Sequence, residues 1–134
     1  KIFNTIVTGQ FQNCLNVDGE ETFKSGASVV NGKVQQTALV MSHSLVSCNA
    51  INFKEEATDL WSVSQWFLGD ETKSNYVMDP QLKDGIPADE SPAVGAAIDE
   101  LPELEGSWQF VPVSFIGALS SKSAQDWTAA WTIK

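Results

Sequence analysis

Thr5–Val17, TIVTGQFQNCLNV, and Leu39–Ile51, LVMSHSLVSCNAI, decide how this chain is read. Shifted by 34 positions, the first falls onto the second. Ile6 meets Val40, Val7 meets Met41, Phe11 meets Leu45, Cys14 meets Cys48 and Val17 meets Ile51. Small polar residues match as well, Thr8 with Ser42 and Asn13 with Ser47. A repeat of this kind marks a solenoid, whose turns each bury an apolar face against the next. The unit is rich in Val, Ile, Thr and Phe and lacks helical spacing, so it reads as strand and turn. Two unrelated strands of a β-sandwich would also account for it.

From this pair outward, the chain changes character several times. Asp18–Lys33 is turn-rich, with Asp18-Gly19, Ser25-Gly26 and Asn31-Gly32 as turn pairs. Asn31-Gly32, between Val29-Val30 and Val34, is placed to close a hairpin. In Thr58–Leu68, Asp59 is placed to cap a short helix whose apolar face is Leu60, Val63, Trp66 and Phe67, with Gly69 as its stop. A third turn of the solenoid is due near position 74, where Asn75–Met78 falls. Gln81–Glu105 is rich in Pro, Gly and acidic residues; it reads as extended and irregular, anchored by Val94, Ile98 and Leu101. The tail is aromatic, and Trp127 and Trp131 suit one face of a helical turn or an irregular cover over a core.

The chain has 134 residues, enough for one domain with a moderate core. Its net charge is −9, and all 8 basic residues are lysines. Phosphate binding needs a positive footprint, so nucleic acid is not an expected partner, and neither is an anionic membrane surface. No stretch approaches the ~20 apolar residues of a membrane-spanning helix. Lys1 does not open a signal peptide, so any such segment was removed or belongs to a longer precursor. If the repeats stack, Cys14 and Cys48 lie about one strand spacing apart, within disulfide reach. A disulfide would suit an exported protein. A ladder of buried thiols is the other reading.

The C-terminal half carries an ordered set of short motifs. They are Met78-Asp79-Pro80-Gln81-Leu82-Lys83-Asp84-Gly85, Ser91-Pro92-Ala93, Phe115-Ile116-Gly117-Ala118 and Asp126-Trp127-Thr128-Ala129-Ala130-Trp131-Thr132. In order and approximate spacing this resembles the closing region of secreted right-handed parallel β-helix proteins of Gram-negative bacteria, the pectate-lyase-like fold. The likeness is close over roughly the last third. Two departures stand out: Ile86–Glu90 is inserted before Ser91-Pro92, and Ala130 replaces the usual glycine between the last tryptophans. The resemblance implies the fold but brings no activity with it. Lyases of that fold use an arginine or lysine base beside calcium-binding carboxylates; this chain has no arginine. Related hydrolases use clustered aspartates and a His-Gly pair; here His43 is the lone histidine and Ser44 follows it.

Candidate sites are few. His43 as a general base or metal ligand has no second histidine to support it, and a surface histidine bonded to a neighbour is the plainer reading. Asp18, Glu20 and Glu21 around Gly19 could offer oxygens to calcium, as could Asp70 and Glu71 after Gly69. Solvated acidic turns explain both. Trp61, Trp66, Trp108, Trp127 and Trp131 could stack on sugar rings if exposed in a row, or pack flank and cap if buried. Asn13, Asn16, Asn49 and Asn52 suit stacking inside turns.

These readings converge on one all-β domain over 1–134: a right-handed parallel β-helix of few coils over about 1–78, with a short flanking helix. A Pro-rich and Trp-rich capping tail covers 79–134. The expected role is a non-catalytic, extracellular or cell-surface structural or adhesive protein, self-associating through an N-terminal coil that carries no cap. The alternative is the C-terminal part of a secreted carbohydrate-binding or polysaccharide-degrading protein, with polysaccharide as partner.

Overall fold

The computed structural model describes residues 1–98 and 112–122. Three short strands open the chain: β1 (Ile2–Phe3), β2 (Ile6–Gly9) and β3 (Asn13–Leu15). Helix α1 (Glu20–Gly26) and the hairpin β4 (Ala27–Val30) and β5 (Lys33–Gln36) follow. Then come β6 (Met41–Ser42), β7 (Leu45–Cys48) and β8 (Ile51–Phe53). Helix α2 (Val63–Leu68), a 3-10 turn (Glu71–Lys73), β9 (Tyr76–Val77) and the small hairpin β10 (Leu82–Lys83) and β11 (Ile86–Pro87) complete the described elements.

Strands β1, β2 and β3 pair in parallel with β6, β7 and β8, and β9 joins the free side of β7. The expected right-handed parallel β-helix is not what this forms. Among the described residues the sheets hold two or three strands each, one parallel ladder alone reaches three, and two of the sheets are antiparallel hairpins. The reason lies in the chain after Phe53. It leaves into α2, returns among the described residues only for Tyr76–Val77, and turns away again at Asp79-Pro80. A solenoid requires coil after coil on the same path.

The register differs from the echo too. Ile6 stands opposite Leu45 and Val7 opposite Val46, not Val40 and Met41. Phe11, matched to Leu45 by the echo, is 59% exposed in a loop. Side chains of similar character aligned the two stretches in sequence, whereas the corners before the strands align them in space.

Successive residues of a strand point to opposite faces, so the central sheet β2-β7-β9 has two. Val7 and Val46 face the main core of Phe23, Met41, Trp61, Val63, Trp66 and Phe67. Ile6 and Leu45 face the other way, against Ala93 and Ile116. Burying side chains the size of Val46, Leu45 and Phe67 contributes about 1.5–3 kcal/mol each. Trp61 and Trp66 are buried packing residues. The Trp61 ring lies 4.7 Å from that of Phe23, and its Nε1–H donates to the Phe23 carbonyl at 2.6 Å. Trp66 Nε1–H donates to the Leu39 carbonyl.

The Asn31-Gly32 hairpin forms, Val29 opposite Val34, with φ 52° and 73° at the two turn residues. Positive φ at both central positions is the twist-compatible hairpin turn that Asn-Gly favours. Helix α1 occupies a stretch read as turns; Phe23 pins its inner face. Helix α2 starts later than expected. Ser62, not Asp59, caps it, its hydroxyl accepting from the Gln65 amide. Leu60 lies before the helix and is exposed. In the Pro-rich stretch Ala93 and Ala97 are the buried anchors, while Val94 is exposed. Leu101, Trp108, Trp127 and Trp131 lie outside the described residues.

Candidate functional site: corners and edges of the parallel sheet

Each strand of the central sheet is entered through the same bend. Asn4, His43 and Ser74 sit two residues before Ile6, Leu45 and Tyr76, and all three have left-handed backbone, φ 49°, 48° and 51°. Such φ values are uncommon outside glycine, so a bend repeated three times is a structural rule of the chain. The next residue on each level carries a short polar side chain: Thr5, Ser44 and Asn75. The Thr5 amide donates to Ser44 Oγ at 3.3 Å, and the Ser44 amide donates to Asn75 Oδ1 at 3.1 Å. Each corner is thereby tied to the one beyond it. The backbone repeats the tie: Asn4 N–H donates to the Ser42 carbonyl and His43 N–H to the Lys73 carbonyl.

Asn75 closes this ladder. It is 7% exposed, and its Nδ2 donates to the carbonyls of Met41 at 2.7 Å and Phe67 at 3.0 Å. It therefore fastens the β9 corner to both β6 and the end of α2. The turn before it is set by Asp70, which accepts from the Thr72 amide and hydroxyl. The Thr72 hydroxyl holds the Asp70 carboxyl below the usual carboxylate range. Sequence reading placed stacking asparagines at Asn13, Asn16, Asn49 and Asn52. Of these, Asn52 bonds the Cys48 amide, but the buried, multiply bonded asparagine is Asn75. Its signal was available: a small polar residue after a bend and before an apolar pair, as at Thr5 and Ser44.

Among the described residues, no strand lies beyond β2 on one side of the sheet or beyond β9 on the other. The two edges differ. The start of β2 is partly held by its own chain, which corrects the expectation of an N-terminal segment without cover. Gly117 N–H donates to the Asn4 carbonyl at 2.8 Å, and Ile98 N–H donates to Asn4 Oδ1 at 2.9 Å. Strand β9 and the residue after it are apolar and exposed: Tyr76, Val77 and Met78 are 47%, 41% and 47% exposed. Three consecutive large apolar residues, two of them on an edge strand and one just past it, offer a template for further pairing.

Cys14 and Cys48 are joined by a disulfide, S–S 2.00 Å and Cα–Cα 5.5 Å. They are not opposite one another on neighbouring strands. Cys48 stands across from Gly9, and the bond runs from β3 to the end of β7. It ties together two of the parallel ladders.

The calcium candidates separate. Asp18 and Glu20 line a cleft of about 380 Å³ with Glu56, Asp59 and Phe23, while Glu21 turns to Lys24. Glu20 also pairs with Lys24, at 2.7 Å, and Asp18 accepts from the Gly19 amide. Among the described residues no three His, Cys, Asp or Glu side chains are gathered as metal ligands. Asp70 and Glu71 serve the turn before Ser74. His43 stands at the middle corner, and the geometry assigns its backbone a bending role. Among the described residues no helix is long and apolar enough to cross a membrane.

Compared with known proteins, the chain matches no protein family, no curated protein and no solved structure. The resemblance of its C-terminal motifs to the closing region of secreted β-helix proteins thus rests on those residues alone.

Proposed function

We propose that this chain is an exported, non-catalytic structural or adhesive domain that acts by associating with copies of itself through the edges of its parallel sheet. The observation that carries the reading is the exposed apolar run Tyr76–Met78, on an edge strand and the residue after it. The strand is short and ended by Asp79-Pro80, but Tyr76 and Val77 themselves carry neither charge nor proline, and an exposed apolar edge favours pairing with another strand. Export is supported by the Cys14–Cys48 disulfide, which persists in oxidising compartments. The non-catalytic character is supported by composition, with His43 as the one imidazole and no guanidinium in the chain.

The charge of −9 sets the conditions. Like-charged copies repel, and salt screens that repulsion over about 8–10 Å at physiological strength. Light scattering and electron microscopy over a concentration and salt series test the proposal. Mass should rise above 14.6 kDa with protein and salt concentration. A calcium series at matched ionic strength separates bridging from screening. A particle that stays at 14.6 kDa throughout would remove the proposal.

A further inference from the structure

The geometry points to a head-to-tail contact in which the β9 edge of one copy pairs in parallel with the β2 edge of the next, Tyr76 opposite Ile6. This rests on the self-association proposed above and names its surfaces. The partner is a second copy because, among the described residues, the two outer strands of the sheet are successive levels of one repeated arrangement. Within the chain, Ile6 faces Leu45 and Leu45 faces Tyr76, all in parallel and all entered through the same left-handed bend. The next level of that series has the shape of β2.

The backbone groups agree. The Tyr76 and Met78 amides donate to the carbonyls of Ser44, just before β7, and Val46 within it. Across a trans peptide, N–H and C=O point in opposite directions. The carbonyls of Asn75 and Val77 are therefore turned to the open side. At the other edge, Thr5 C=O accepts from the Leu45 amide, so the Ile6 N–H is turned away from β7. By the period of the parallel ladder the Thr8 N–H is turned the same way. In the proposed register the second copy's Ile6 and Thr8 amides meet the Asn75 and Val77 carbonyls. This is the relation that Tyr76 and Met78 already have to Ser44 and Val46. The corner ladder extends likewise, bringing Thr5 of the second copy to the level of Asn75. The contacts of Asn4 with Ile98 and Gly117 leave the Ile6 and Thr8 amides out of account and need not break.

Proline at either edge tests this, because both targeted amides face outward and proline is tolerated where no internal ladder bond is lost. The variants are Val77→Pro and Thr8→Pro, with folding checked by circular dichroism. Val77→Lys and Thr8→Lys, which keep the backbone donor and charge the edge, replace any proline variant that melts early. Sedimentation equilibrium is run on each variant alone and on an equimolar mixture. The contact predicts that each variant alone loses association by about tenfold or more. The mixture should recover it as a one-to-one dimer, because each variant supplies the edge the other lacks. Association lost in Val77→Pro but kept in Thr8→Pro would mean pairing of β9 with β9 and would overturn the register. Association kept in both would place the contact on another surface, overturning this inference while leaving self-association standing. A wild-type chain that never associates would overturn both.

Discussion

Replacing Asn75 by alanine should be among the most damaging single changes in the described structure. Its amide bonds the Ser44 N–H and the Met41 and Phe67 carbonyls, all in buried surroundings. The Met41 carbonyl keeps a second donor, Gln36 Nε2 at 3.1 Å. Alanine would take from the Ser44 amide and the Phe67 carbonyl the side chain that bonds them at this corner. A net hydrogen bond is worth about 1 kcal/mol, and a buried group left without one costs about 1–3 kcal/mol. Asn75→Ala should therefore destabilise by about 2–5 kcal/mol. For a domain of this size that lowers Tm by roughly 6–25 °C. Thermal and urea unfolding followed by circular dichroism, with the disulfide intact, measures it. A loss below about 0.5 kcal/mol would refute the view that this side chain locks β9 to β6 and α2.

Other perturbations have defined outcomes. Removing the disulfide with Cys14→Ser and Cys48→Ser frees a loop of sequence separation 34, which loop entropy values at about 3–4 kcal/mol in urea unfolding. Gly117 has φ 106°, and a Cβ there would come 2.9 Å from Ile6 Cδ1. Gly117→Ala should cost about 1–3 kcal/mol and expose Ile6, seen as a lower urea midpoint. Hydrogen bonding from Ser64, side chain and amide, joined by Ser62, holds the Glu55 carboxyl below its ordinary range, as Thr72 does for Asp70. Carboxyls lowered on folding add stability above their unfolded pKa and lose it as pH falls through the folded one. Glu55→Gln should thus flatten part of the acid-side decline in Tm below the ordinary carboxylate range. Incubation with polygalacturonate or alginate and calcium should give no rise in absorbance from unsaturated products.

The local chemistry was readable before the arrangement was. Asn31-Gly32 announced its hairpin because few residue pairs accept positive φ twice. The apolar spacing of Val63, Trp66 and Phe67 announced α2, though its cap was misplaced because Asp59 instead accepts from the Glu56 amide. The parallel pairing of the first strands with Met41–Phe53 followed from the echo, but the register did not. Hydrophobic matching aligned Phe11 with Leu45, whereas the bends at Asn4 and His43 set Ile6 there. Extrapolating two matched stretches into a β-helix failed, since nothing in them reports that the chain departs after Phe53. The edge at β9 was legible as a short apolar run, but its exposure depends on what the rest of the chain leaves uncovered.

Amide hydrogen exchange at Ile6, Thr8 and Val77, followed as protein concentration is raised at fixed salt, tests the central claim most directly. These amides belong to the two sheet edges, and self-association through the edges predicts that their exchange slows as concentration rises. The Tyr76 and Met78 amides, already bonded to β7, should change little. Exchange at Ile6, Thr8 and Val77 that is independent of concentration, in samples whose mass does rise, would contradict the account.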